Sequence, residues 1–578
     1  MNNRTDAYVL ELAWKEPELA SDNVIFFDGI GFGSSTTLRD KRESSIPVHD
    51  FDMDMQGEWL AVSRDRKSIA VRTDHFGFFH LFYTTPELNG AGIAAASPSF
   101  EALLTYLRDR NCKPCPDISY ALPLMASTSA FFNQGYSTRT SCIQVKRLLP
   151  GEVIRITAQG ISVTSSEIWD QTPAADYHDL IDIGISKLRT QLESLNTNGI
   201  EKKELYLSGG KDSRACLALL LARRNRDFTC TTHGPEGKLG LVSDVLRRDF
   251  AIATELVSHY NLRWTEPMER HVEPKTFSEC LFDYRRYRSN KYYSFKPQNF
   301  ETRNNSGMYM EIHGGGGEAL RGYWAKHFRS LPVSGKFKVT RGNVWHDASH
   351  IFRSLVQRQS IPEELYSQSL QDFVNDIRAI PGKNIYEVLD NHYILHRNRY
   401  HFGNLRHAYS VGKLLYYPLA QKEFLLAAQQ LPHAVRSQGK LLHDIIQQST
   451  PSAHLFAYES GFFDCAPPPL THMPVTALAQ QDVIKEFREI QEANALRAGK
   501  LYASGRNYDI QAAMRNLASK NIEKIMDGSK ELRGIYEGQQ VGRESKTLAN
   551  TARNHYAARL DGIAQVFEPQ QSYTLVSI

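Results

Sequence analysis

Over the first 165 residues, apolar positions come in short runs rich in β-branched and aromatic residues, separated by turn formers. EWLAVSRD, SIAVRTD and HLFYTT each read as a strand, and LPGEVIRIT as a turn leading into another. SFEALLTYLRDR is the clearest helical pattern in this part. Residues 166–200 are polar and then helical (DLIDIGISKLRTQLESLN), closing on the helix stop TNG. From 203 the rhythm changes: strand ELYLS, helix RACLALLLARR, strand DFTCTTHG, helix SDVLRRDFAIATELVSHY and strand MYMEIHGG alternate. Such alternation predicts an α/β fold, a parallel sheet covered by helices. Residues 340–450 and 475–565 read mainly as helices, with no internal repeat and no low-complexity tract. The predicted organisation is a β-rich domain over 1–165, an α/β domain over 166–470 and a helical extension over 471–578.

Composition narrows the partners. Length alone, 578 residues, predicts about two to four domains, and 41% hydrophobic with 23% charged residues predicts buried cores. Basic and acidic residues nearly balance, 68 against 64, so whole-chain charge argues for neither nucleic acid nor a membrane surface. The amino-terminal stretch lacks the apolar core of a signal peptide, and ACLALLLA is far short of a membrane span, so a cytoplasmic location is expected. Seven cysteines fit reduced thiols better than a disulfide framework. Cys112 and Cys115 form one CxxC without a second ligand pair, which reads as a proline-containing surface turn rather than a zinc site.

The stretch LYLSGGKDSRACLALLLA (205–222) carries the candidate chemistry. A strand that ends in Ser-Gly-Gly and opens into a helix leaves backbone N–H groups free at the helix start, where the helix dipole favours an anion. Gly209 and Gly210 allow close approach of the backbone, and Ser208 and Ser213 offer hydroxyl donors. Lys211 adds a positive charge. Asp212 is the odd member, because a carboxylate repels phosphate unless a cation lies between them. That predicts Mg²⁺, which takes carboxylate and phosphate oxygens together. The bland alternative is a glycine turn with a capping Asp or Ser. Ser-Gly-Gly-x-Asp-Ser between strand and helix is not the P-loop of kinases; it resembles the pyrophosphate loop of enzymes that split ATP into AMP and pyrophosphate.

The surrounding chain resembles the asparagine synthetase-like family. Asp74, Gly77, Leu81 and Tyr83 fall where that family has Asp-x-x-Gly-x-x-x-Leu-x-Tyr in its amidotransferase-type domain, and LLPGEVIRI (148–156) resembles its Pro-Gly loop. HGGGGEALRGYW (313–324) resembles its glycine-rich segment ending in Gly-Tyr, and LLYYPLAQKEFLLAAQQLP (414–432) resembles a later stretch, with GKLLHDIIQ following in order. The resemblance implies an Ntn-type amidotransferase-like sandwich, followed by a pyrophosphate-loop synthetase domain and a helical C-terminal extension. Its departures are informative. Asn2 stands where the glutamine-using members carry the nucleophilic cysteine, which implies a domain without glutaminase activity, as in β-lactam synthetases and lasso-peptide cyclases. The family's second metal aspartate aligns with Gly317, with Glu318 beside it. Glu318 then reads either as a shifted Mg²⁺ ligand or as an ordinary helix-start glutamate. Gly314 replaces the tyrosine of the β-lactam synthetase base dyad. The family's lysine near AHLFAYESGFF is absent, with Tyr458 and Glu459 there instead.

What the resemblance implies is ATP-dependent amide-bond formation (lactam, macrolactam or amide ligation) through an acyl adenylate, with ATP and Mg²⁺ as cofactors. Asp212 and Glu318 are expected as catalytic and metal residues, and Ser208 to Ser213, Gly315 and Gly316 as the ATP and pyrophosphate contacts. The glycines at 314–317 leave room for a large acyl substrate or for backbone N–H contacts, or else allow close helix–strand packing. The expected partner is a substrate bearing a carboxylate and an amine, with no nucleic acid and no membrane, and a homodimer as the candidate assembly. Ammonia-dependent amidation of a small or sugar acid is the alternative reaction, and a pseudoenzyme scaffold the non-catalytic one. Two basic stretches stand outside the motif. HYILHRNRYHFGNLRHAYS (392–410) gathers Arg397, Arg399 and Arg406 with His392, His396, His401 and His407, as a phosphate or carboxylate clamp or as a solvated basic face. RRYRSNKYYSFK (285–296) reads as a local patch over the mouth of the site.

Overall fold

The computed structural model describes residues 7–577 except 15–22, 34–36, 40–45, 49–50, 53, 128, 165–174, 197–199, 201, 223–226, 233–243, 266–270, 274, 289–294, 296–301, 305–308, 325–327, 329–343, 357, 359–360, 404, 411, 470–505, 539–549 and 569–572. Asn2 and the expected boundaries at 165/166 and 470/471 lie outside the described residues.

The fold is α/β, with antiparallel, mixed and parallel sheets. The first part carries two of them. In the seven-stranded sheet, Asn23–Phe32 pairs antiparallel with Gln56–Arg64, which pairs with Ile69–Thr73 and that in turn with Val153–Thr157. In the five-stranded sheet, Tyr8–Glu11, Ala95–Ser97, Phe82–Thr84 and Lys146–Arg147 are neighbours. Its fifth strand comes from the far end of the sequence: Thr574–Ser577 runs parallel to Tyr8–Glu11, with Tyr8 opposite Thr574. Tyr8 and Leu10 from one sheet share a buried cluster with Phe26, Leu60, Val62 and Val71 from the other. On the other side of the five-stranded sheet, Val9 and Ala95 pack with Leu103 and Leu107 of the helix Phe100–Asp109. Ser99 starts that helix by accepting from the Ala102 amide, satisfying one of its orphan donors.

The motifs at 74–83 and 148–150 meet in space. Asp74 accepts the amides of Phe78 and Phe79 at 2.9 and 2.8 Å, and burial pushes its carboxyl up to about 7. Gly77 has φ +61°, and a Cβ there would stand 2.6 Å from Cγ of Pro150, so the two turns close on each other only with glycine at 77.

The parallel sheet has four strands in the order Thr229–Thr231, Lys202–Tyr206, Tyr309–Ile312, Lys413–Tyr416, with Leu205 opposite Cys230 and Ile312. The helix Lys211–Leu221 follows the second strand, and its run Ser213–Leu221 is buried throughout. That explains its unbroken apolar reading: a helix packed on all sides has no polar face. Three of these strands were predicted. Lys413–Tyr416 falls inside the stretch expected to be mainly helical, and completes the sheet next to Tyr309–Ile312. The helices Arg506–Gly528, Lys530–Gly538 and Asn550–Ala564 agree with the reading of 475–565. They join the main body through Arg559, which donates to the Ser127 carbonyl, and Asp561, which pairs with Arg285.

Candidate active site

The glycine loop stands at the carboxyl end of Lys202–Tyr206, beside the strand Tyr309–Ile312 and the segment that follows it. This is the edge where open parallel sheets bind ligands. The helix begins at Lys211, so its first-turn amides have no carbonyl of the same helix to donate to.

The loop's hydroxyls hydrogen-bond within the loop. Ser213 Oγ accepts from the Ser208 amide at 3.1 Å and lies within hydrogen-bond distance of the carbonyls of Ser208 and Gly210, while Ser208 Oγ accepts from the Gly210 amide. The two serines brace the turn. The Gly209 amide donates to Asp249 Oδ1 at 2.8 Å, from the helix Asp244–His259, and the Gly209 carbonyl accepts from the Glu459 amide at 2.9 Å. Both neighbours leave a glycine at 209 no room for a side chain: a Cβ would stand 2.9 Å from Asp249 Oδ1 and 3.2 Å from Glu459 Cβ.

The segment around Tyr458 and Glu459 therefore does adjoin the loop. It holds no lysine, but Lys211 sends its ammonium to the same place, 4.5 Å from the Phe463 ring centre. Arg214, one turn into the helix, ties the same segment down by donating to the carbonyls of Ala453, Phe456 and Ala457, with its guanidinium 4.1 Å from the Tyr458 ring centre. Burial lowers that guanidinium to about 10.

The structure brings Asp212 and the glycine segment together. A Cβ on Gly314 would stand 2.8 Å from Asp212 Cβ, and one on Gly317 would stand 2.2 Å from Asp212 Oδ1. Gly315 is equally crowded, since a Cβ there would meet Tyr417 at 2.4 Å and Phe402 at 2.7 Å. Gly316 has φ +93° and lies over Ala420. Close packing accounts for the glycines at 314, 315 and 317, and the positive φ for the one at 316.

Asp212 is not alone. Arg321 donates to both of its oxygens, from Nε at 3.2 Å and from Nη2 at 2.6 Å. Glu318 lies close to this pair. Burial and the Asp212 charge together push its carboxyl up to about 7, against the pull of Arg321, and its Oε2 is buried with no hydrogen-bond partner. Arg321 takes one lone pair of each Asp212 oxygen, so a Mg²⁺ between Asp212 and Glu318 would share Asp212 with a cation already in place. Among the described residues, no three His, Cys, Asp or Glu side chains are grouped to hold a metal ion.

No protein-family model matches the chain, and no curated protein does either.

A second polar cluster went unread in the sequence. Glu311, on the strand beside the loop, is buried and accepts from Tyr206, Tyr309 and His313 at 3.2, 3.2 and 3.1 Å, and pairs with Lys413 at 2.5 Å. Tyr206 stacks on His313 with ring centres 4.2 Å apart. Burial alone would raise the Glu311 carboxyl; the His313 hydrogen bond and the Lys413 charge outweigh it and hold the group down to about 2. Alternation along paired strands puts Glu311 and His313 on one face, and that spacing is the signal the sequence offered.

The basic segment 392–410 is not a solvated face. It forms a π-helical turn, Tyr393–Arg397, followed by helices Asn398–Phe402 and Leu405–Ser410. His392, His396 and Arg399 are buried. Arg399 donates to the carbonyls of Gly77 and Leu148 at 2.9 and 2.8 Å, tying together the two turns of the first part. The patch at 285–296 is also engaged in structure where it is described, since Arg285 pairs with Asp561 at 2.9 Å and Glu101 at 3.5 Å. Cys112 and Cys115 are free thiols, as are the other five cysteines. No helix among the described residues is long and apolar enough to cross a membrane.

Proposed function

We propose that this chain is an ATP-dependent, AMP-forming carbon–nitrogen ligase of the asparagine synthetase-like kind. One observation carries the reading: the loop Ser208–Ser213 and the glycine segment 314–318, more than a hundred residues apart, sit on neighbouring parallel strands with Gly314 and Gly317 packed directly on Asp212. The two packed sheets, formed by residues 7–164 with the strand Thr574–Ser577 added to one of them, support an amidotransferase-like domain over 1–165, ahead of a synthetase domain over 166–470 and a helical extension over 471–578.

In this reading the phosphates of ATP lie at the start of the helix Lys211–Leu221, where the helix dipole favours an anion. A carboxylate oxygen of the substrate attacks the α-phosphorus, the bond to the β-phosphate bridging oxygen breaks, and pyrophosphate leaves. An amine then attacks the acyl carbon, AMP departs with its phosphate oxygen, and the amine loses a proton. Fixed donors aimed at the phosphates supply charge stabilisation in the first step. Mg²⁺ enters this reading only as the ion that accompanies ATP in solution. The amine belongs to the same molecule in a lactam or macrolactam, and is ammonia in the alternative, amidation of a small or sugar acid. The engagement of Asp212 by Arg321 favours a second reading, a scaffold that keeps the fold without turnover.

The test is product analysis. The protein is incubated with ATP, ammonia and a panel of carboxylates (amino acids, sugar acids and short peptides), and nucleotides are resolved by chromatography. AMP with pyrophosphate, dependent on one class of acid, is expected. ADP with phosphate, or an absence of ATP binding by calorimetry, rules the ligase out; binding without turnover on any acid favours the scaffold.

A further inference from the structure

We propose that Arg321 is the chain's own counter-ion for the bound polyphosphate, held in place by Asp212 and donating its remaining N–H groups to the phosphates. The proposal rests on the nucleotide reading above and names the cation that reading needs.

A carboxylate in the first turn of an anion-binding helix opposes the ligand unless a positive charge offsets it. Asp212 holds that position, and the positive charge beside it is Arg321. A guanidinium carries five N–H donors in a planar fork. Asp212 takes one from Nε and one from Nη2. Three remain, and no other hydrogen bond engages Arg321 among the described residues. The two side chains are 29% and 19% exposed, so a solute can reach the pair. An arginine oriented in this way matches phosphate oxygens two at a time, which a lysine cannot.

The glycine at 317 belongs to the same device. Gly317 and Arg321 are the two ends of the short helix Gly317–Arg321, four residues apart and so on one face. With a Cβ at 317 standing 2.2 Å from Asp212 Oδ1, any side chain there would fill the lane along which Arg321 reaches the carboxylate. The missing side chain at 317 and the cation at 321 therefore act together: they leave Asp212 in an ion pair whose positive partner is covalently part of the protein.

ATP is the probe, titrated into the full chain by calorimetry in EDTA and again in excess magnesium. Wild type is expected to bind in EDTA within about tenfold of its affinity in magnesium. Arg321→Ala should lose about 10- to 100-fold in EDTA, the range for hydrogen bonds between charged groups, and recover much of that in magnesium because Asp212 is then free for the metal. Arg321→Lys keeps the charge but not the fork and should fall between the two; it carries the test if the alanine variant fails to give a cooperative melt. Wild type that binds ATP only in magnesium, or an Arg321→Ala protein that binds as tightly as wild type in EDTA, overturns the proposal while leaving the nucleotide reading intact. Wild type that binds in neither buffer removes the nucleotide reading and the proposal together.

Discussion

Arg406 donates to Asp28 at 2.6 Å, to the same oxygen that accepts the Tyr8 hydroxyl at 2.6 Å. One partner stands on the helix Leu405–Ser410, just before the last strand of the parallel sheet; the other lies on the strand Asn23–Phe32 of the seven-stranded sheet. Glu58 reinforces the join, accepting the amides of Leu405 and Arg406 at 2.6 and 3.2 Å, a favourable place for negative charge. The Phe79 ring lies under the guanidinium, 4.6 Å from it. The two-sheet part is thus wired to the loop-bearing part through buried charge.

Because that charge is buried, breaking the pair on one side is costly. Arg406→Ala should destabilise the protein by about 3–5 kcal/mol, the usual cost of leaving one buried partner uncompensated. Removing both partners, in Asp28→Asn with Arg406→Met, should cost less than the sum of the single changes. Urea unfolding of the four proteins measures the difference; strict additivity would show that the two groups do not interact.

Glu311 gives a prediction in acid. Its carboxyl is held at about 2, below the usual glutamate value near 4.5. A depressed carboxyl stabilises the fold above its unfolded value, and that stabilisation is lost as pH falls from about 4.5 through about 2. Glu311→Gln should therefore be less stable at pH 7 by about 2–4 kcal/mol, at about 1.4 kcal/mol for each unit. The gap should close as pH approaches 2. Melting temperatures of both proteins at pH 7, 5 and 3 check it, and a gap that stays constant with pH would show that the charge is not the cause.

Gly317→Ala tests whether the glycine segment is packed or open. The added methyl would press on Asp212 Oδ1. It should cost about 1–3 kcal/mol of stability, as overpacking does, and weaken ATP binding by moving Asp212 and Arg321. Gly412→Ala, where nothing lies within 4 Å but φ is +77°, serves as the comparison with a backbone cost and no clash. Calorimetry and melting curves on both separate the two effects.

Local pattern and distant contact divide what the sequence made legible. The strand, glycine turn and apolar helix of 202–221 lie within one window, so their order followed from spacing. Asp249 and Arg321 reach the loop from 40 and 109 residues away, and no short window contains either pairing. Lys413–Tyr416 is only four residues long and sits among helices, so periodicity had too few positions to register it. The arginines and histidines of 392–410 read as surface because charge is normally solvated. Carbonyls of Gly77 and Leu148 and the carboxylate of Asp28 replace that solvent, and all three come from the first 150 residues.

The pairing of Tyr8–Glu11 with Thr574–Ser577 sets a clock on the ribosome. The first strand leaves the exit tunnel early, with one flank covered by Ala95–Ser97 soon after and the other waiting for a partner nearly a full chain length later. At about 5–20 residues per second, that wait is on the order of a minute. Throughout it, the nascent sheet presents an unpaired edge whose main-chain groups can template misassembly with a neighbouring nascent copy. Biogenesis of this chain therefore carries an aggregation hazard in the interval between synthesis of these two strands, and its demand for chaperone cover is greatest in that interval.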